Sequence, residues 1–366
     1  MHDPSRVARE LGGKLSARTR HVCVLVGAGG ARAAGLPDLA GLEERVIQNL
    51  DPADAEVTRS LFEQGNLETA LSYLRRLASI LQHGEELRGL TRERADELQH
   101  RIIGAIIPAL GIDSADIEPF RQLAGWAAGG LYRLPVEIFT INYDLLFETG
   151  LESVGAPYFD GFVGNIRARF RPELVDDMES NGPESLPSNF VRLWKLHGSV
   201  NWAEEDAGES TRIVRLGVPV TPGVPAAIYP SDEKYDQSRR VPFVVLMDRF
   251  RRALAMPETV TLVSGYAFGD QHLNELLFDA ARRYPRSEIV ALCYADIPTL
   301  LRERAITIPN ISVLAGSRAI IGGVEAEWVS DHELQNIWED GSFQLGDFSA
   351  LARFIATRAR NIDQDD

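Results

Sequence analysis

The run Val22-Cys-Val-Leu-Val-Gly27-Ala-Gly29-Gly30 decides how this chain is read. It is an apolar strand that stops in a glycine-rich turn. Three later stretches share its shape: Thr140-Ile-Asn142-Tyr-Asp144, Lys195-Leu-His197-Gly198-Ser199 and Ser264-Gly265-Tyr266-Ala-Phe-Gly269-Asp270. Each ends an apolar run with small or polar residues. That pattern describes buried strands whose carboxyl ends open into a ligand crevice.

Strands are expected at 21–26, 136–142, 191–197, 259–266, 288–294 and 311–315. Helical stretches separate them, which predicts an α/β fold with a doubly wound, mainly parallel, Rossmann-like sheet. Val7, Leu11 and Leu15 recur at helical spacing, so 5–18 reads as an amphipathic helix. Residues 271–283 read as a helix with Asp270 as N-cap, and 347–360 as the last helix. Between 42 and 130 β-branched runs nearly vanish, and Leu, Ala, Glu and Arg dominate. This predicts an all-helical insertion, 42–130, in a sheet domain made of 1–41 and 131–366. Polar 203–212 and Pro-rich 218–230 read as exposed loops, 231–241 as a charged stretch and 363–366 as an acidic tail.

Composition narrows the function. The formal charge is -15, which opposes a phosphate backbone and argues against nucleic-acid binding by the chain alone. No apolar run is long enough to span a bilayer and the start lacks a signal-peptide core, so a cytoplasmic protein is expected. The two cysteines, Cys23 and Cys293, lie in apolar runs and read as buried free thiols. With no Cys-x-x-Cys, a cysteine zinc site is excluded, and no metal is expected.

The glycine turn, Gly27-Ala28-Gly29, lets backbone N–H groups approach a pyrophosphate. A tight turn with no ligand is the plain alternative. The spacing is not Gly-x-Gly-x-x-Gly, since position 32 is Arg, which disfavours a simple dehydrogenase. Asn142 at a strand end can hold a sugar hydroxyl or a water, or simply end the strand. Asp144 reads as the cap of a helix over 145–151. His197 offers an imidazole, the side chain most often used as a base, with Gly198 keeping space beside its ring. His272 reads as a surface residue of a helix's first turn. No Gly-x-Ser-x-Gly and no P-loop is present.

The order of these motifs resembles the sirtuin-like family. Gly27-Ala-Gly29-Gly-Ala-Arg-Ala-Ala-Gly35-Leu-Pro37-Asp38 resembles its Gly-Ala-Gly stretch, and Thr140-Ile-Asn142-Tyr-Asp144 its Thr-Gln-Asn-Ile-Asp. Lys195-Leu-His197-Gly198 resembles its catalytic His-Gly. Ser264-Gly265-Tyr266-Ala-Phe-Gly269-Asp270-x-His272-x-Asn274 is similar to the prokaryotic branch that degrades NAD in antiphage defence. The chain departs from the deacylases: it cannot build their four-cysteine zinc module, and Leu39-Ala40 replaces Phe-Arg.

The resemblance implies an NAD glycohydrolase with Asn142 and His197 as catalytic residues. It implies NAD contacts from Gly27, Ala28, Gly29, Pro37, Asp38, Asp144, Gly198, Ser264, Gly265 and Tyr266. NAD is then the substrate. The helical insertion also resembles sirtuin-like proteins that partner a HerA-type hexameric ATPase, which implies a homo-oligomer and control by assembly. A deacylase or ADP-ribosyltransferase, and a non-catalytic NAD-binding scaffold, are the alternatives.

Overall fold

In the computed structural model the described residues are 1–130, 132–176, 190–206, 211–221, 224, 226–228, 241–329 and 334–362. They form a nine-stranded sheet. Its order is Val324–Glu327, Arg318–Ile321, Ile311–Leu314, Glu288–Leu292, Val260–Ser264, Val22–Val26, Glu137–Thr140, Val191–Lys195 and Tyr158–Phe159. The seven strands from Ile311–Leu314 to Tyr158–Phe159 pair in parallel, and the last two in chain order add antiparallel. The expected mainly parallel α/β sheet is what the chain builds. The central strands are apolar on both faces because helices cover both. Leu11, Leu123 and Leu351 lie in the core on one face, and Leu246, Leu273 and Leu301 in the core on the other.

After Val22–Val26 the chain adds strands on one side, then returns through Val260–Ser264 on the other. This reversal is a topological switch point, where crevices form at the carboxyl ends of strands. Helices Pro4–Ser16 and Gln271–Arg283 agree with their expected bounds within two residues, and Asp270 accepts from the N–H groups of His272 and Leu273. The final helix is Phe348–Ile362.

The stretch expected to be all-helical holds helices Leu39–Gln48, Pro52–Glu63, Leu67–Ile80, Arg92–Ala109 and Glu118–Gly129. A two-stranded hairpin, Glu86–Leu87 with Leu90–Thr91, interrupts them. Arg88 and Gly89 turn it at positive φ, 51° and 78°. The four earlier helices share a core of Leu42, Phe62, Leu74 and Ile102, whereas Phe120 and Trp126 of the fifth pack into the main domain.

The two expected loops are corrected in part. Gly198–Asp206 and Thr211–Leu216 are strands that pair antiparallel, and Ala226–Ile228 adds to the first of them. With Arg167–Phe170 and Phe162–Val163 they make a five-stranded sheet. Glu205 and Arg212 pair near the outer end of the hairpin, while Trp202, Ile213 and Ala227 pack into one core and Ala203, Val214 and Ala226 into another. The polar residues gather where the two strands are joined, which is why this stretch reads as loop although both faces of the sheet are packed. The charged stretch 231–241 lies outside the described residues except for Val241, as does the acidic tail 363–366.

Candidate active site

The four motifs leave the sheet side by side. Val26 pairs with Ser264 on one side and with Thr140 on the other, and Thr140 pairs with Lys195. These residues form one row across four adjacent parallel strands. Gly27, Gly265, Asn142 and His197 therefore follow at the same end of the sheet.

The two glycine turns pack directly on each other. The Gly27 N–H donates to the Ser264 carbonyl at 3.1 Å, and the Gly29 N–H to the Gly265 carbonyl at 2.9 Å. A Cβ on Gly29 would lie 2.5 Å from the Gly265 Cα, and Gly265 itself adopts φ +62°. Backbone contact between loops thus demands glycine at both positions, whatever binds above them. The Gly30 N–H is also used, on the Gly27 carbonyl at 3.0 Å. Ala28, which starts the short helix Ala28–Ala33, is exposed.

Asn142 is 8% exposed. Its side-chain amide donates to the Gly27 carbonyl at 3.0 Å, and its backbone N–H to Thr140 Oγ1 at 3.0 Å. Thr140 Oγ1 donates in turn to the Val26 carbonyl at 3.0 Å. The asparagine is locked to the neighbouring strand's turn.

His197 is 5% exposed. Its Nε2 lies 3.2 Å from Asp270 Oδ2, and its Nδ1 is buried with no partner among the described residues. Gly198 follows at φ +94°, where a Cβ would meet the Ala227 carbonyl at 2.0 Å. Gly198 thus admits the Ala226–Ile228 strand beside the histidine, as well as leaving the ring room. The sequence places Asp270 as a helix cap within the Ser264–Asn274 motif, with no role toward His197. Burial pushes its carboxyl up, but His197 and the His272 and Leu273 amides outweigh this and hold it below the usual range. Only a distance between strand ends reveals the pairing, since 73 positions separate the partners in sequence.

Ser264 Oγ is another buried polar atom without a partner among the described residues. Tyr266 turns its hydroxyl back on its own loop, to the Asp270 carbonyl at 3.0 Å and Asn274 Oδ1 at 2.9 Å. Asp144 is buried, and its carboxylate accepts from the Leu146 N–H at 3.0 Å. The helix is Leu146–Ser153 with Leu145 at the cap, so Asp144 sits one residue before the expected position. Burial pushes the Asp144 carboxyl up, and Lys195 opposes this. Lys195 itself is buried, donating to the Asp144 carbonyl and to Glu148 Oε1. Pro37 is half-buried. Asp38 is exposed, caps Leu39–Gln48 through the Gly41 N–H at 3.0 Å and faces Arg32 at 3.6 Å.

The helical insertion reaches this end of the sheet. Tyr143, next to Asn142, packs in the insertion's core. Its hydroxyl bonds Glu68, and burial, with Glu68 next, pushes it well above the usual tyrosine range. Arg75, on the same Leu67–Ile80 helix, donates to the Ile228 carbonyl at 2.6 Å, and Ile228 pairs with Gly198. The Tyr143 carbonyl accepts from the Val200 N–H at 2.9 Å. One helix therefore touches the residue after Asn142 and the strand that pairs with the residue after His197.

At the opposite end of the sheet, His21, Cys23 and Glu137 bring ligand atoms within 4.8 Å of one another. Glu137 is fully buried, and its oxygens take His21 Nε2 at 2.9 Å, Trp194 Nε1 at 2.6 Å and Arg249 at 2.6 and 2.9 Å. A metal ion would face the Arg249 guanidinium, so this is an ion-pair network and not a metal centre. Both cysteines are free and buried, and burial raises both thiols, Cys293 to about 12.

A cavity of about 470 Å³ opens at the carboxyl ends of Glu288–Leu292 and Ile311–Leu314, lined by Tyr294, Asp296, Gly316 and Ser342 among others. It continues the edge on which Gly265 lies. No helix among the described residues is long and apolar enough to cross a membrane.

Fold and site define a doubly wound α/β domain with a buried asparagine and a buried histidine at the carboxyl edge of its sheet. Residues 136–314 match the family model described as SIR2-like domain. Similar solved structures include Sir2 in complex with the inhibitor EX-527, 2'-O-acetyl-ADP-ribose and a deacetylated p53 peptide. It is 14% identical with a TM-score of 0.38, over 79% of this chain and 88% of that one. Sir2Tm bound to a propionylated peptide gives 14% and 0.38, over 80% and 88%. None of the curated proteins matches the chain.

Proposed function

We propose that the chain is an NAD glycohydrolase, cleaving the nicotinamide–ribose bond with water to give nicotinamide, ADP-ribose and a proton. One observation carries the reading. Asn142 and His197 emerge side by side next to the paired Gly27–Gly29 and Gly265 turns, and His197 keeps a buried nitrogen without a partner among the described residues.

The chemistry asks little of an acid. The ring nitrogen of NAD is cationic, so nicotinamide departs neutral. The protein must hold the ribose, favour an oxocarbenium-like transition state and admit one water. Asn142 positions the ribose or that water. His197 draws the proton of a ribose hydroxyl and raises electron density on the sugar. Gly27, Ala28 and Gly29 line the pyrophosphate side, and Ser264 and Gly265 the adenosine side. Pro37 and Asp38 order the segment over nicotinamide. Protein deacylation is the weaker reading, because two cysteines cannot form a four-cysteine zinc module.

Control belongs to the proposal. Asn142 and His197 are both more than nine-tenths buried, and the Leu67–Ile80 helix touches the segments beside them. A constantly active enzyme of this kind would deplete its own cell. We therefore assign it an antiphage role, gated through the helical insertion by homo-oligomerisation or a HerA-type ATPase.

The test is incubation of the purified chain with NAD, with and without such an ATPase, following nicotinamide and ADP-ribose by chromatography. Release that vanishes in His197→Ala supports the reading. NAD binding without release under either condition would replace it with a scaffold role, and acetyl-peptide turnover with a deacylase.

A further inference from the structure

We infer that Asp270 is the positioning residue of this site: it holds His197 with Nε2–H toward its carboxylate and leaves Nδ1 with the free lone pair. The inference rests on the proposed NAD chemistry for its purpose, but its geometry stands alone.

The two oxygens of Asp270 are divided between two tasks. Oδ1 accepts from the His272 and Leu273 amides at 2.8 and 3.2 Å, which caps Gln271–Arg283. Oδ2 makes no hydrogen bond among the described residues and lies 3.2 Å from His197 Nε2, an ion-pair distance. The residue cannot swing away. Its backbone carbonyl accepts from Tyr266 Oη and from the Asn274 N–H, each at 3.0 Å. The Asn274 amide also ties the Phe268 carbonyl at 2.8 Å, in a turn where Phe268 takes φ +57°.

A neutral imidazole carries one N–H and one lone pair. A carboxylate beside Nε2 accepts the N–H and repels the lone pair, so the proton resides on Nε2. The lone pair then falls on Nδ1, which is buried and unpaired among the described residues. A base must offer a lone pair to the hydroxyl whose proton it takes. The opposite tautomer would place a lone pair against Oδ2 and leave that oxygen unsolvated in a buried site.

Asp270→Asn separates this role from capping, because asparagine caps a helix as well as aspartate does. Its side-chain amide would donate to Nε2 and force the proton to Nδ1. Nicotinamide release should fall about 100-fold or more, the usual share of a positioned base. NAD affinity should change by less than about threefold, since binding needs no lone pair. In a His197→Ala background the same change should add no further loss, because residues acting through one another are not additive. Nitrogen NMR of ring-labelled histidine should report Nε2–H in the parent and Nδ1–H in Asp270→Asn. Asp270→Ser, which also caps, gives a second variant if the first folds poorly. Parent-like turnover in both variants, or a loss that adds in full to His197→Ala, would overturn the assignment. So would an Nδ1–H ring in the parent. If the parent itself releases no nicotinamide, the glycohydrolase reading fails, and the ring spectrum still decides the role of Asp270.

Discussion

The side-chain amide of Asn142 donates to the carbonyl of Gly27 at 3.0 Å, across two parallel strands. The residue that follows one strand is thereby fixed to the turn that follows the next. This is how a polar side chain on a loop gains the precision that chemistry requires.

Asn142→Ala should reduce NAD turnover by about 100-fold or more, as loss of a positioned donor does. The lost hydrogen bond should lower stability by only about 1 kcal/mol. Chromatography of nicotinamide and a urea titration check the two halves. Unchanged turnover would remove Asn142 from the site.

Gly29→Ala should damage the fold itself. The new Cβ would sit 2.5 Å from the Gly265 Cα, on backbone that cannot yield cheaply. We expect a loss of about 3 kcal/mol, at the upper end for overpacking. A midpoint in urea close to the parent's would show that the two turns separate easily.

Two buried carboxylates give the stability a definite pH dependence. Burial raises Glu137, but Arg249 and His21 outweigh it and bring it to about 2 from an ordinary 4.5. A depressed acid adds stability above its unfolded pKa and loses it as pH falls through the folded one. Burial lifts Asp160 to about 6 from 3.8, with Arg215 pulling the other way. That raised acid costs stability above about 6, and the cost disappears as pH falls toward 3.8. Stability from these two groups should be highest where the windows overlap, between pH 3.8 and 4.5, declining below that range as Glu137 takes up a proton and declining above it as Asp160 ionises. Glu137→Gln should lose the acid decline and cost about 3 kcal/mol at neutral pH, since it strands Arg249. Denaturant titrations from pH 3 to 8 measure both effects, and an identical acid limb in the variant would refute the assignment.

Tyr143→Phe removes the hydroxyl that Glu68 holds. If the Leu67–Ile80 helix restrains the site, basal nicotinamide release without a partner should rise a few-fold. A rate equal to the parent's would show that this contact does not gate entry.

The fold class was legible because strand periodicity and strand-end chemistry are local properties. Val22–Val26 is apolar and stops at glycine, so a buried strand and its turn are visible within nine residues. Asn142 and His197 could be singled out for the same reason, as polar residues directly after apolar runs. The hairpin Gly198–Asp206 with Thr211–Leu216 was not legible, because Glu205 and Arg212 satisfy each other only once the two strands are paired.

What the sequence alone determined is the order of four strand-end motifs, the α/β class and the exclusion of a cysteine zinc site. Only the tertiary structure decided that the four motifs stand in one row, that Gly29 and Gly265 meet backbone to backbone, and that Asp270 faces His197. Strand order is set by packing and by the crossover of the chain, which periodicity does not encode. A contact between residues 73 positions apart exists only once the sheet has brought their strand ends together.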